Sequence, residues 1–150
     1  MSIHSAIQAA EFLLGLPHAD ALDRMLDLAE ATSGDAVAVA GPQAADAMVG
    51  LWRRGFARVE AARRATCAAA DERCGLLLVV GCPEAVWADT LVGAVLGMLA
   101  PGGRLVVDAG RLVDVSERAE LCGYLRARGL LVSEGSELSA EILAMRRTPS

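Results

Sequence analysis

The sequence predicts an α/β fold, with a mostly parallel β-sheet, one antiparallel strand, and helices on both faces. Three observations predict it. Short apolar runs bounded by turn residues, at 36–40, 76–80 and 105–108, alternate with segments of helical length. The last two strand candidates, 130–133 and 141–147, are joined by a short link. A parallel return needs a crossover of about a dozen residues or more, so these two must pair antiparallel. Hydrophobic residues make up 54% of the 150 residues, and mean hydropathy is +0.40. That is ample for one domain with a core of its own and excludes a disordered chain.

The elements follow in order. Residues 3–14 suggest a helix, with Ile3, Ile7, Ala10 and Leu14 at helical spacing, broken by Gly15-Leu16-Pro17. A second helix is expected over 18–31. Leu22, Met25, Leu26 and Ala29 form its apolar stripe, while Asp20, Asp23, Asp27 and Glu30 face water. These two N-terminal helices, 1–33, are expected to pack on the core domain, 34–150. The apolar run at 36–40 reads as a buried strand, ended by Gly41-Pro42. Proline suits the first helical position. The helix after it is expected to run to Arg54, with Ala45, Met48, Leu51 and Trp52 inward.

Residues 56–62 form a weaker strand candidate, and 63–73 look helical. Leu76-Leu77-Leu78-Val79-Val80 is the clearest buried strand, closed by Gly81-Cys82-Pro83. A helix over 84–99 follows, with Val86, Leu91, Val95 and Leu99 as its expected core face. Pro101-Gly102-Gly103 reads as a tight turn before a strand at 105–108. Ser116 is the expected cap of a helix over 117–128, which Gly129 ends.

Composition excludes several classes of function. Net charge is −5, and all 14 basic residues are arginine. A nucleic-acid binder carries a basic face, so none is expected. Arg53-Arg54, Arg63-Arg64 and Arg146-Arg147 read as solvated element ends. The four cysteines, Cys67, Cys74, Cys82 and Cys122, include no CxxC pair, and the histidines are His4 and His18. No metal site is expected. The start has no basic residues, and the apolar stretch 91–100 is too short to span a bilayer. A cytoplasmic protein with reduced thiols is expected, without membrane contact.

The order of motifs resembles that of class I S-adenosylmethionine-dependent methyltransferases. Met98-Leu99-Ala100-Pro101-Gly102-Gly103-Arg104-Leu105-Val106-Val107 is similar to the family's L-x-P-G-G-R-L turn into the fifth strand. Residues 125–147 resemble its closing pattern of helix, R-x-G-L turn, strand and antiparallel strand. Residues 76–83 take the place of the fourth strand, and Arg53-Arg54-Gly55-Phe56-Ala57-Arg58-Val59 resembles the approach to the second. The likeness covers roughly residues 34–147. It implies a Rossmann-like methyltransferase fold and S-adenosylmethionine as cofactor.

The departures bear on that cofactor. The family's first loop carries glycines at alternate positions, which lets the main chain approach the ligand. Here it reads Gly41-Pro42-Gln43-Ala44-Ala45-Asp46. Only the first glycine remains, and Pro42 removes an N–H. The family's second strand ends in an acid that accepts from both ribose hydroxyls. The matching position is about Arg63, which has no acceptor. Glu60 is acidic but lies mid-strand. About fourteen residues separate the second strand candidate from Leu76, too few for the family's helix, third strand and adenine loop, so one strand is expected to be missing, or residues 56–62 stand in for it.

The candidate cofactor-binding residues are therefore Gly41, Pro42, Gln43, Glu60, Gly81 and Cys82. The helix after Gly41 offers free N–H groups to an anion, which Asp46 opposes. Arg63 could instead meet a phosphate. Cys82 as a nucleophile lacks a histidine after His18. Gly81-Cys82-Pro83-Glu84 and Asp108 sit at strand ends where ligands bind in open sheets; the plain alternatives are a buried thiol, a helix-starting Glu84 and a turn-forming Asp108. Methyl transfer needs no base where proximity suffices. The expected function is a degenerate, non-catalytic methyltransferase-like domain with a binding or scaffolding role, a homodimer or the partner of another protein. The alternative is an active S-adenosylmethionine-dependent methyltransferase on a small molecule.

Overall fold

Six strands and four α-helices account for most of the computed structural model, which describes residues 19–65 and 73–148. The expected helix over 3–14, most of the expected segment 63–73, and Cys67 lie outside the described residues. The strands are β1 (Val37–Ala40), β2 (Val59–Ala61), β3 (Cys74–Val79), β4 (Leu99–Asp108), β5 (Leu130–Val132) and β6 (Glu141–Arg146). The helices are α1 (Ala19–Leu28), α2 (Ala44–Arg53), α3 (Ala85–Val95) and α4 (Val115–Ala127).

The sheet order is β2-β1-β3-β4-β6-β5. β1 to β4 run parallel, and β6 is antiparallel to both its neighbours. This is the mostly parallel sheet with one antiparallel strand that the sequence predicts. Among the described residues the sheet has six strands, with β2 and β5 at its edges.

Alternation along the strands divides the core into two layers. Leu76, Leu78 and Val80 of the β3 run pack with Val37, Val39 and Val106 under α1 and α2. Leu77 and Val79 pack with Ala38, Leu105 and Val107 under α3 and α4. The central strands are covered on both faces, which is why they read as unbroken apolar runs. In α1 and the turn after it, Leu22, Met25, Leu26 and Ala29 are buried while Asp23, Asp27 and Glu30 are exposed, as the periodicity predicts. Arg24 binds the buried Glu141 at 2.6 Å and so pins α1 to the start of β6. Arg104, at the start of the regular part of β4, donates to the Ala29 carbonyl and lies 3.5 Å from Asp35.

Four expectations need correction. First, Pro101-Gly102-Gly103 does not precede its strand. It is absorbed into β4 as an irregularity: Cys74 pairs with Leu99 but Leu76 pairs with Arg104. Gly102 takes φ +77°, and a Cβ on Gly103 would lie 2.7 Å from the Ala100 carbonyl oxygen. The turn signal marks a bulge in a continuous strand. Second, α3 buries Ala85, Ala88, Val92 and Val95, whereas Val86 is 57% exposed and Leu99 belongs to β4. Small alanines let this helix sit close on the sheet. Third, α2 buries Ala47 and Leu51, and leaves Ala45 and Trp52 exposed. Fourth, α4 is capped by Asp114, whose side chain accepts from the Ser116 N–H at 2.9 Å, and Ser116 lies inside the helix. Gly129 ends it at φ +86°, as expected.

Candidate functional site

The chain leaves β1 for α2 on one face and leaves β3 for α3 on the other, although β1 and β3 are neighbours. Opposed exits from adjacent parallel strands open a crevice at their carboxyl ends, the usual ligand site of such sheets. Gly41, Pro42, Gln43, Gly81 and Cys82 all lie at this edge.

Gly41 ends β1 at φ +114°. The Val80 N–H donates to the Ala40 carbonyl at 2.9 Å. The two chains are so close beyond this bond that a Cβ on Gly41 would stand 2.0 Å from the Val80 oxygen. The glycine is thus required by the neighbouring strand, whatever else approaches it. The Gly41 carbonyl accepts from the Ala44 N–H at 3.1 Å, which starts α2. Gln43 is the residue before that helix and makes no side-chain cap. Its side chain crosses to β3 instead. Gln43 Cγ lies 3.1 Å from where a Cβ of Gly81 would be, and Gly81 has φ +79°. A glycine and a glutamine from the segments that follow two neighbouring strands therefore pack on each other across the crevice.

Cys82 is fully buried, at 0% exposure. Burial, with the Asp108 carboxylate as the next contribution, pushes its thiol up to about 12. It is protonated at neutral pH and closed to solvent, so it is no nucleophile. Asp108 accepts from the Gly110 N–H at 3.1 Å, the turn bond of an Asp at a strand end. Glu84 precedes α3 in an extended conformation and makes no side-chain cap. The first free N–H of α3, on Ala85, donates to Glu117 Oε1 at 3.1 Å. A carboxylate from α4 thereby holds the positive end of α3. The sequence signals Asp114-x-x-Glu117 as a box closing on its own helix; the fold sends Glu117 to a different one, which no local pattern reveals.

Glu60 stands apart from the edge residues. It pairs with Ala38, three residues before Gly41, so it is about 10 Å short of the crevice at the rise of a strand. The register places Arg63 level with Gly41, and the Ala62 N–H extends the ladder by donating to Val39 at 2.8 Å. The Arg63 N–H then donates to Met98 Sδ at 3.2 Å, which carries the chain toward the end of α3. From Ala61 to Ala65 the chain holds no carboxylate. Glu60, Arg58, Arg63 and Arg73 line a separate open groove of about 400 Å³ at the β2 edge, beside the start of β1. Among the described residues, no group of three or more His, Cys, Asp or Glu could hold a metal ion.

The architecture is a Rossmann-like methyltransferase fold, as two solved structures show. An O-methyltransferase family protein from Burkholderia thailandensis superposes with TM-score 0.52 at 15% identity, over 97% of this chain and 60% of that one. N-methyltransferase NodS from Bradyrhizobium japonicum WM9, in complex with S-adenosyl-L-homocysteine, superposes with TM-score 0.50 at 19% identity, over 87% of each chain. The chain thus spans less than two thirds of the Burkholderia protein. No family model and no curated protein matches the sequence. The likeness is one of fold.

Two outcomes follow. Gly41→Ala places a methyl against the Val80 carbonyl at a left-handed φ, and lowers stability by about 3 kcal/mol or more in urea unfolding. A loss below about 1 kcal/mol would show that the two strand ends are not in contact. The raised Cys82 pKa favours the protonated, folded state. Its contribution is complete below about pH 9, where the unfolded thiol is also protonated. Stability falls by up to about 1.4 kcal/mol per pH unit as pH rises from 9 toward 12. Comparison with Cys82→Ala in alkaline denaturation isolates that slope.

Proposed function

We propose that this chain is a non-catalytic methyltransferase-fold domain whose role is to bind another protein surface, a second copy of itself first of all. The observation that carries the reading is Gln43 lying against Gly81 across the carboxyl ends of β1 and β3. The fold implies a nucleoside cofactor in that crevice, and the residues present do not fit it. The ligand's path along the main chain is taken by a glutamine side chain. Pro42 lacks an N–H to donate. Among the described residues, β2 and the chain after it bring no carboxylate level with Gly41 to accept from ribose hydroxyls, since Glu60 is three residues short and the level position is Arg63. Cys82 is sealed off.

A binding role is supported by the apolar rim beside this edge. Val113 is 87% exposed, Leu138 73% and Val115 46%. Arg118 ties their loops together by donating to the Leu112 and Glu137 carbonyls at 2.8 and 2.9 Å. Val86, next to Ala85 whose N–H bonds Glu117 of α4, is 57% exposed as well. Exposed apolar groups held rigidly together mark an association surface. Among the described residues no helix is long and apolar enough to cross a membrane.

Thermal shift with S-adenosylmethionine and its demethylated product tests the reading. A ligand at a hundredfold excess over its Kd stabilises a fold by about 2.7 kcal/mol, or roughly 5–10 °C for a domain of this size. We expect no shift at millimolar ligand; a rise of several degrees would favour an active S-adenosylmethionine-dependent methyltransferase on a small molecule. Light scattering tests the dimer. The expected mass is twice the 15.6 kDa chain, falling to one chain for Leu138→Asp with an unchanged circular dichroism spectrum. A wild-type monomer would overturn the self-association.

A further inference from the structure

The groove at the β2 edge gathers positive charge. Glu60 pairs with Ala38, whose side chain lies in the layer under α3 and α4. Residues directly opposite on two strands share a face. Arg58, two residues before Glu60, shares it too, and its carbonyl extends the ladder by accepting from the Val37 N–H at 2.8 Å. The chain after β2 passes over the same side. There the Arg63 N–H meets Met98 Sδ at 3.2 Å and the Ala65 N–H meets the Ala94 carbonyl at 2.9 Å, both near the end of α3. Arg73 directly precedes β3, and the Gly75 N–H donates to the Ala36 carbonyl at 3.1 Å, which sets Arg73 beside the start of β1. Arg58, Arg63 and Arg73 thus line one groove of about 400 Å³, with Glu60 as the carboxylate among its described lining residues. Ala36, with a single methyl, leaves room at its floor. Five of the 14 arginines fall within residues 53–65, where Glu60 is the one acid, although the whole chain has a net charge of −5.

We propose that this groove, apart from the crevice at Gly41 and Gly81, binds a small phosphate monoester. The argument is one of charge, donors and size. Arginine offers a planar fork of N–H groups that matches the oxygens of a phosphate. Arg63 and Arg73 each keep another contact within the chain, and a guanidinium with its several N–H donors serves two partners at once. Three guanidiniums against one carboxylate leave the described lining with two positive charges. A phosphate monoester carries about −1.5 to −2 at neutral pH, so one such group balances them. The groove is larger than a bare phosphate, and its volume falls in the range of roughly 300–1,000 Å³ that holds small organic ligands. An organic group therefore accompanies the anion. Glu60, exposed beside Arg58, repels a second negative charge. That selects a single phosphate over a nucleic-acid strand, which places one charge after another along its path. The rim at Val113 and Leu138 plays no part in this site and stays available to a partner.

Heteronuclear NMR titration of the full chain tests this, with glycerol 3-phosphate, inorganic phosphate and glycerol as probes. Millimolar glycerol 3-phosphate shifts the amides of Ala36, Arg58 and Glu60 saturably, inorganic phosphate shifts the same amides with lower affinity, and glycerol shifts none. Arg58→Gln weakens the binding about tenfold, the loss of one charge-assisted pair. Glu60→Gln strengthens it, because a repelling charge is gone. Both side chains are exposed, so the variants keep the fold, which the resonances of β3 check. The proposal is overturned if neither phosphate gives a saturable shift, if folded Arg58→Gln binds as well as the wild type, or if Glu60→Gln binds more weakly. Equal affinity for the two phosphates would overturn the ester and leave a site for the free ion. Tighter binding of a single-stranded oligonucleotide than of glycerol 3-phosphate would overturn it in favour of a nucleic-acid surface. Shifts centred on Gly41, Gln43 and Gly81 would place the ligand in the crevice and overturn it as well. None of these outcomes depends on whether the crevice binds a nucleoside.

Discussion

The contact between the ends of β1 and β3 constrains everything built above it. The two strands pair in register from Val37 with Leu76 to Ala40 with Val79. The next residue, Gly41, then turns away to the α2 face while its neighbour's main chain occupies the space of a side chain. Two glycines at left-handed φ, Gly41 and Gly81, make the opposed exits possible. The same exits are what open a ligand crevice in other sheets of this kind. Here Gly41 lies against the Val80 carbonyl of the neighbouring strand, and the Gln43 side chain lies against Gly81.

The groups around that edge are turned inward, toward each other. Glu117 satisfies the start of α3, Asp108 its own turn, and Asp114 the start of α4. Cys82 keeps its proton because both burial and the nearby Asp108 carboxylate oppose a thiolate. These three carboxylates are partnered within the chain, where unpartnered polar groups would be costly. The exposed apolar side chains at the rim, Val113, Val115 and Leu138, are where this edge offers contact.

Much of the fold was legible in the sequence, and what failed did so for physical reasons. Runs such as Leu76 to Val80 identify themselves, because a strand covered on both faces must be apolar throughout. The α1 stripe was legible because its other side is acidic. The phase of α3 was not, since its eleven residues are nearly all apolar and only Asp89 and Thr90 mark a polar side. The Pro-Gly-Gly signal was read in the right place but as a turn, because a bulge uses the same residues as a turn. At the site, counting along the second strand puts Glu60 mid-strand, and the strand Val59–Ala61 has Glu60 at its middle, paired with Ala38. Pro42 and Gln43 are candidates in the sequence only through their place in the loop after β1. That Gln43 acts through its side chain, on a glycine about forty residues away in the chain, depends on tertiary placement that no local spacing encodes.

The claim on which the account rests is that the crevice over Gly41 and Gly81 is already filled by the chain. Heteronuclear NMR of labelled protein reads those amides individually. On addition of millimolar S-adenosyl-L-homocysteine, the resonances of Gly41, Gln43 and Gly81 should stay where they are. Saturable shifts of those three together, with the Gln43 side-chain amide moving as well, would contradict it.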